Sequence, residues 1–594
     1  MLTAPVTSSP YYATNNFCTG QCWYDEDVYT PAGMPDTVYV IGSNEYGEQP
    51  CDTKGVGCGN GRSNGREVLY STTAGDPDGA NNSRTFTDLS YDATNQPATW
   101  CAYAPYFDNG CVFSPNGIHP DQHAIAINPS NPTQIFEGSD GGMIRTSGAF
   151  ADTQAQCDEP HRNGGGPLPP SGSLTSCHRL LSRVPTELSH IDQTLGSSIQ
   201  FWNVAIDPFN TCRVLGGTQD NGTWANGPNC DRDTFTQVIY GDGGDAFFDS
   251  TTPNWLGNGF TSGFGDVNFE NGDPTKWVIS TGNIQASGET ASFYWPQIAD
   301  PNPPAGTHPV FQGFQHVWRS WAFGAGHVST PQQTTPDIAF YEANCPEFVT
   351  SGASPTCGDY QPLGGPAGAN MAGDLTGSVY GADRAGGFVS WMARDGADHG
   401  TLWATTSAGR VFVTHNADAV NPASVVWHRI DSSTSGASPT RYPSAITIDP
   451  SDSGHAWISY SGYNAATPTT PGHVFDVTEN GTAPGSGTFT NLNVESGTSA
   501  FPTPTNSGDL PVADIVRDDQ TKTLYVATDF GVLSGKHDGL GGWHVTQGMP
   551  RYEVTHLELQ PSNRVATCVG IKHCPRVLYA ATHSQGIWKM KLGH

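Results

Sequence analysis

Charged side chains are scarce in this sequence, and basic ones are the scarcest. Charged residues make up 14% of the 594 residues, against about 25% in a typical soluble domain. Lys and Arg number 26 against 56 Asp and Glu, which gives a formal net charge of −30. Such a surface repels phosphate backbones and anionic lipid, so we expect no nucleic-acid partner and no membrane-surface partner. The simplest role for this acidity is solubility in a secreted protein.

Long hydrophobic runs are also missing. No uninterrupted apolar stretch reaches 18 residues, so no membrane span is expected. The first residues, MLTAPVTSSPYY, have neither a basic nor an apolar region, so no signal peptide is visible in this numbering. Gly (71), Pro (45) and 10% aromatic residues replace the Ala, Leu, Glu and Lys that helical bundles need. The composition therefore predicts a loop-rich, all-β protein.

Fourteen cysteines are present, and they occur as close neighbours along the chain. Zinc is the competing interpretation, but no CxxC occurs, and CTGQC has three intervening residues. Local disulfides on a β scaffold favour an oxidising compartment, so we expect a secreted, extracellular or cell-surface location. Spacing alone does not prove the connectivity. The expected pairs are Cys18 with Cys22, Cys51 with Cys58, Cys101 with Cys111, Cys157 with Cys177, Cys212 with Cys230, Cys345 with Cys357, and Cys568 with Cys574.

One sequence phrase recurs along the chain. It consists of an apolar alternating strand, an Asp/Asn-Pro turn, a second strand ending in Gly, and a third short strand. The clearest copies occupy 124–147, 203–224, 445–464, 514–535 and 556–590. Each unit is too small to bury both faces of its sheet, so the units must stack on one another.

Short antiparallel sheets without helical spacers favour radial closure. We therefore predict a β-propeller of about seven to nine four-stranded blades, with long disulfide-stapled loops. The whole chain, 1–594, is predicted to form this single domain. The N-terminal strand near 36–42 is expected to close the ring with the C-terminal blade at 551–592.

These repeats resemble a known superfamily. DGLGGWHVTQGMP (538–550) is similar to a degenerate Asp-box, the turn of bacterial neuraminidase (BNR) repeats. The superfamily includes sialidases, sortilin ectodomains and oligoxyloglucan-type glycoside hydrolases. HPDQHAIAINPSNP and EGSDGG, followed by GGTQDNGTW and YGDGGDAFFD, resemble secreted bacterial repeat proteins described as glycosyl-hydrolase-like. The resemblance implies a propeller, but not one activity, because this superfamily mixes enzymes, receptors and structural modules.

Two aspartates are candidates for catalysis. The oligoxyloglucan hydrolases carry catalytic aspartates in DxGG-like turns, and Asp140 (SDGGM) and Asp242 (GDGGD) resemble those turns. Asp529 (TDFGV) is a third match. Glycoside hydrolysis needs one protonated and one ionised carboxyl group, which such a pair would supply. The alternative is structural, since Asp often caps tight turns before Gly.

Other polar residues near these turns are candidates for binding. Gln219, Asp220 and Asn221 (TQDNG), together with His123, are expected to position a substrate. In HPDQH, period-2 alternation would place His119, Asp121 and His123 on one face of a strand, where they could bind zinc or a related metal. The same side chains could instead form a hydrogen-bonded belt.

Calcium is a further cofactor candidate, at Asp245 and Asp249 of GDGGDAFFD, although the spacing is not that of an EF-hand loop. No other cofactor is indicated. A classical sialidase is not expected, because its Arg-Ile-Pro tripeptide is missing.

The sequence contains 15 Trp and 21 Tyr residues, which together with the polar candidate residues fit carbohydrate binding. Aromatic faces stack on sugar rings, although most such residues pack in blade cores. The hypothesis is therefore an extracellular, glycan-recognising propeller with glycoside hydrolase activity and a polysaccharide or glycan ligand. The alternative is a non-catalytic extracellular binding or assembly module, for which we would expect self-association.

Overall fold

The computed structural model places two compact units along the chain, Met1–Ile199 and Gln200–His594. Strands dominate both, and the described strands form ten antiparallel sheets, of which eight are four-stranded. The predicted all-β class is therefore confirmed, and the repeated four-stranded sheets are consistent with a propeller-like fold. No helix among the described residues is long and apolar enough to cross a membrane. The structure describes residues 3–48, 61–77, 85–94, 118–159, 171–191, 199–210, 212–227, 235–327, 333–347, 353–365, 372–431, 438–494, 509–560 and 576–592.

The N-terminal unit contains two four-stranded sheets. The first runs β1-β2-β3-β4, and the second runs β10-β7-β6-β5. The described residues of this unit also form a small pair of strands, β8 and β9, and helix α1 (Ser171–Leu180). The strands are β1 (Asp27–Tyr29), β2 (Val38–Ile41), β3 (Val68–Ser71), β4 (Thr87–Asp88), β5 (Gln122–Asn128), β6 (Asn131–Ser139), β7 (Gly142–Thr146), β8 (Phe150–Ala151), β9 (Val184–Pro185) and β10 (Leu188–His190).

Strand β2 differs from the ring-closing role expected for 36–42. It pairs with β1 on one edge and with β3 on the other. Both of its hydrogen-bonding edges are thereby occupied, so β2 is not a strand of the C-terminal sheet. The three described strands of that sheet pair in chain order instead.

The C-terminal unit begins with four four-stranded sheets in chain order. Short helices, α2 (Gly282–Gln285) and α3 (Ile338–Asn344), lie in its connections. The strands are β11 (Ala205–Ile206), β12 (Val214–Thr218), β13 (Gly222–Asn226), β14 (Phe235–Ile239), β15 (Ala246–Phe248), β16 (Leu256–Gly259), β17 (Gly265–Asn268), β18 (Trp277–Ile279), β19 (Gln297–Ala299), β20 (Val310–Gly313), β21 (Val317–Ser320), β22 (Gln361–Pro362), β23 (Val389–Arg394), β24 (Leu402–Thr406), β25 (Val411–Thr414) and β26 (His428–Arg429).

Three more sheets follow in the same unit, two of four strands and one of three. They coincide with the three C-terminal repeat copies, which confirms the period-2 strand assignment there. Their strands are β27 (Pro443–Asp449), β28 (Asp452–Tyr460), β29 (Val474–Thr478), β30 (Thr488–Asn491), β31 (Val512–Asp518), β32 (Thr523–Thr528), β33 (Gly531–Lys536), β34 (Trp543–Val545), β35 (Val554–Gln560), β36 (Arg576–Thr582) and β37 (Ile587–Leu592).

The core lies between successive sheets rather than inside one of them. Side chains of β27 and β28, such as Trp457, share one buried cluster with Val512 and Val526 of the next sheet. Central strands are therefore buried on both faces, as β24 and β32 are along their whole length. Burial of one large apolar side chain of this kind stabilises the fold by about 1.5–3 kcal/mol.

The first strands of the C-terminal sheets contact one another in a cycle. β11 contacts β15, and the series continues through β19, β23, β27, β31 and β35, which in turn contacts β11. Backbone hydrogen bonds support the last contact, since Phe201 N donates to Thr582 O at 3.1 Å. Gln200 and His583 form a further antiparallel bridge.

Three of the expected disulfides are present, and each joins sequence neighbours, as predicted. They are Cys18–Cys22, Cys157–Cys177 and Cys345–Cys357.

The other four expected disulfides stay predictions, because each includes a cysteine outside the described residues. Cys212 is described and is disulfide-bonded, but Cys230, its expected partner, lies outside the described residues. Both members of the three remaining pairs also lie outside the described residues. These pairs are Cys51 with Cys58, Cys101 with Cys111, and Cys568 with Cys574.

Candidate functional site

Strand direction determines which turns of the C-terminal unit lie together. The turn between the second and third strands of a sheet lies at the same end as the connection from its fourth strand to the next sheet, because antiparallel strands alternate in direction. Residues 219–221 form the turn between β12 and β13, the second and third strands of their sheet. Residues 240–245 connect β14, the fourth strand, to β15 of the next sheet. Asp220 N donates to Asp242 Oδ1 at 3.2 Å, so the two turns are in contact.

Gln219 and Asn221 hold the same turn in place. The Asn221 side chain donates to Gln219 O at 3.0 Å. The backbone carbonyl of Asn221 accepts a hydrogen bond from Trp224 Nε1. Asp220 has a positive φ of 60°, a conformation that Asp tolerates in tight turns. Of the TQDNG side chains expected to position a substrate, that of Asn221 is thus engaged in holding the turn.

Asp242 lies at a cavity of about 410 Å³. Tyr294 donates its hydroxyl to Asp242 Oδ1 at 3.2 Å, so the carboxylate is oriented by two donors. The cavity lies where the sheets of β11–β14 and β15–β18 meet. Its lining residues are Tyr240, Gly241, Asp242, Phe260, Thr261, Phe264, Gly265, Asp266, Ile279 and Glu347.

Two lining residues form a carboxyl pair that the sequence did not reveal. Asp266 on β17 and Glu347 hydrogen-bond to each other through their side chains, and burial raises the pKa of both. Two carboxyl groups can bond in this way only when a proton lies between them. Tyr240 also hydrogen-bonds to Glu347. The cavity therefore contains a group that retains a proton where ordinary carboxyls have lost theirs.

Glu347 reaches the cavity because its segment is fixed to the edge of a sheet. Pro346 forms a bridge with Val278 of β18, and Glu347 N donates to Trp277 O at 3.1 Å. The Cys345–Cys357 disulfide anchors the same segment two residues earlier. A Glu just after a paired cysteine was the only signal in the sequence that could have pointed to this residue.

Exposed aromatic side chains lie beside Asp242. The Tyr294 ring contacts both Trp202 and Phe293, with ring centroids 4.8 Å apart in each pair. Trp202 is 39% exposed, Phe264 40% and Phe293 54%. Large exposed aromatic surfaces of this kind are unusual without a ligand. Trp295, Trp318 and Trp403, by contrast, are buried in the core.

Asp245 and Asp249, the calcium candidates, have protein partners. Trp202 Nε1 donates to Asp245 Oδ1 at 3.1 Å, and burial raises the pKa of Asp245 to about 6. Asp249 is 3% exposed and accepts hydrogen bonds from Thr251 N and His308 Nδ1. These contacts make Asp249 a turn-capping residue.

In the N-terminal unit, the structure brings Asp121, His123 and Asp140 into one cluster with Asp25. His123 Nε2 lies 2.5 Å from Asp140 Oδ1, and His123 Nδ1 lies 3.6 Å from Asp25 Oδ1. Asp121 accepts hydrogen bonds from Gln21 Nε2 and Ser43 Oγ. Asp25 was missed at the sequence level because nothing in WYDED distinguishes it from exposed neighbours.

Asp25 is the buried carboxyl group of this cluster. It is fully buried, and no N–H or hydroxyl group of the described residues donates to its oxygens. Burial, together with the charge of Asp121, raises its pKa to about 7. His119 lies to one side, with Nδ1 2.8 Å from Pro120 O.

The predicted zinc ligands do not converge on one point. Within the described residues, only Cys18, Cys22 and Glu26 bring three such ligand atoms within 4.8 Å of one another. Both of those thiols are in a disulfide. The contacts of His123 and Asp121 instead resemble the hydrogen-bonded belt given as the alternative.

No family model and no curated protein matches this chain. Among solved structures, a crystal structure of Saccharomyces cerevisiae Sqt1 aligns with a TM-score of 0.37 and 11% sequence identity. That alignment covers 67% of this chain and 97% of Sqt1.

Proposed function

We propose that this protein recognises a glycan in the Asp242 cavity and hydrolyses its glycosidic bond. The observation that carries the proposal is the meeting, in one cavity of about 410 Å³, of Asp242 with the carboxyl pair Asp266–Glu347. The exposed rings of Trp202, Phe264 and Phe293 beside it offer faces on which sugar rings stack.

The chemistry follows from the different environments of these carboxyl groups. The proton held between Asp266 and Glu347 is available to the leaving glycosidic oxygen, while Asp242, held by Tyr294 and the Asp220 amide, serves as the base. The C–O bond breaks as the pair protonates the leaving oxygen, water bonds to the anomeric carbon, and Asp242 takes the proton released by that water. Asp242 then returns its proton to solvent, and the Asp266–Glu347 pair takes one proton from solvent. Asp140, the other aspartate expected from the resemblance, is not among the described residues that line this cavity. We therefore assign the acid role to the Asp266–Glu347 pair.

The fold and location belong to the same proposal. The cycle of contacts from β11 to β35 supports a seven-bladed propeller within Gln200–His594. The resemblance of 538–550 to an Asp-box suggests that this propeller is of the Asp-box type. In the segment 538–550, Trp543 is 2% exposed and packs in the core between two sheets, as the indole of an Asp-box turn would. Three local disulfides support an extracellular location.

Glycan turnover tests the proposal. The purified protein and its Asp242→Asn and Asp266→Asn variants would be incubated with a panel of plant, bacterial and animal polysaccharides, and reducing ends would be measured. We expect product release that each substitution lowers at least about 100-fold, the usual contribution of an acid or base. The exposed Glu270, which follows β17 and is not among the residues lining the cavity, provides a matched control in Glu270→Gln.

Binding measured on the same panel separates the alternatives. Glycan binding without turnover by the folded wild-type protein would support the non-catalytic binding module. Turnover that survives both cavity substitutions would exclude this cavity as the active site. If the folded protein neither bound nor hydrolysed any glycan of the panel, the glycan proposal would be contradicted.

A further inference from the structure

The cavity contains acidic groups without any basic counterpart. Asp242, Asp266 and Glu347 line it, and none of the other described lining residues is Lys, Arg or His. Three carboxyl groups without a basic group make the lining of this cavity acidic. A sugar carrying a carboxylate, sulfate or phosphate would be repelled there.

The protein also leaves one carboxyl oxygen of this cavity without a hydrogen-bond donor. Asp266 is 2% exposed, and its Oδ2 atom receives no hydrogen bond from an N–H or hydroxyl group of the described residues. Buried carboxyl oxygens are normally paired or hydrogen-bonded, because an uncompensated charge is costly away from water. A ligand that brings its own N–H donors and positive charge would complete the site.

Aromatic rings complement the same kind of ligand. Tyr240 and Phe260 both line the cavity, with ring centroids 5.7 Å apart. Ring faces attract organic ammonium groups, and the attraction grows when the cation is removed from water. A neutral sugar would use the rings for stacking but would leave the carboxyl charge without a partner.

We propose that the glycan bound in this cavity carries free amino groups, as in an oligosaccharide of glucosamine. This inference rests on the proposed function and specifies its substrate class. The ammonium lies between Asp242 and the Asp266–Glu347 pair, and the sugar ring stacks on the aromatic side chains. The net charge of −30 adds long-range attraction for such a cationic chain.

Isothermal titration at pH 6 tests the inference with four matched ligands. These are the β-1,4-linked tetramers of glucosamine, N-acetylglucosamine and glucose, and tetralysine as a cation that is not a sugar. We expect the glucosamine tetramer to bind at least tenfold more tightly than each of the others. Asp242→Asn should reduce that preference to less than about threefold, because one charge is lost while an amide oxygen still accepts from Tyr294.

Controls make each outcome decisive. Glu270→Gln removes one exposed negative charge outside the cavity and should leave the preference unchanged. Equal affinity for the three sugar tetramers would overturn the amino-sugar inference but leave glycan recognition standing. The amino-sugar inference would also be overturned if tetralysine bound as tightly as the glucosamine tetramer and lost the same affinity in Asp242→Asn. If no sugar tetramer bound, while another glycan did, the substrate class would be wrong; if no glycan bound, the proposed function itself would fail.

Discussion

At the scale of single residues, the buried carboxyl of Asp25 makes the stability of the fold depend on pH. Its pKa is raised from an ordinary 3.8 to about 7, mainly by burial. The folded protein therefore holds this proton more tightly than the unfolded chain does. The stability contributed by the proton is fully present below about pH 4, and it is lost as the pH rises toward 7.

The substitution Asp25→Asn should remove this dependence. We expect the free energy of unfolding to rise by about 1–3 kcal/mol at pH 8, since one pKa unit corresponds to about 1.4 kcal/mol and the neighbouring carboxyls adjust. At pH 4 the change should be small. Urea unfolding at pH 4, 6 and 8 measures it, with the exposed neighbour Glu26→Gln as the control. An equal change at pH 4 and pH 8 would contradict the prediction.

The sequence could predict site residues that lie in short turns, but not residues that meet only through contacts between distant segments. Asp242 stands out because an Asp before two glycines marks a tight turn, and Asp220 lies in a similar polar turn. Asp266 and Glu347 become partners only through a sheet and a disulfide that bring distant segments together. No spacing along the chain records that contact, so the sequence could not predict the carboxyl pair.

Among elements, the recurring Asp/Asn-Pro turn proves to be a capping device. Asp207 and Asp300, at or just after the end of a first strand, accept hydrogen bonds from backbone amides two residues ahead. Asp449 and Asp518 do the same at the ends of β27 and β31. The repeat was recognisable in the sequence because these turns need the same short acceptor each time. It predicted the strands well but not the inserted helix α3.

The disulfide beside α3 should couple stability to ligand binding. Replacing both Cys345 and Cys357 by Ala removes a link across 12 residues, worth about 2–4 kcal/mol. Because Glu347 follows directly, glycan affinity should fall as well. Urea unfolding and titration calorimetry measure the two effects.

The double substitution of Cys157 and Cys177 by Ala is the matched control. Those cysteines are buried in the N-terminal unit, so the pair should lower stability without weakening glycan binding. Unchanged affinity after loss of Cys345–Cys357 would show that the disulfide does not position Glu347.

For the whole molecule, we expect residues 200–594 to fold without the N-terminal unit. The cycle of sheet contacts closes within this segment, and the buried clusters between its sheets draw only on residues of the segment. A fragment of 200–594 should unfold cooperatively and bind glycan as the full chain does. Circular dichroism, size-exclusion chromatography and calorimetry test this. A soluble but unfolded fragment would show that the N-terminal unit is needed.

The closing contact also constrains how the protein is made. Thr555 donates its hydroxyl to Phe201 O, 354 positions earlier in the chain, at 2.8 Å. During translation the first sheet of this unit must therefore wait, with one edge open, until the last sheet leaves the ribosome. A premature stop codon near the end of the gene would consequently destabilise the first sheet of this unit, because the lost residues cover a sheet that was synthesised several hundred codons earlier.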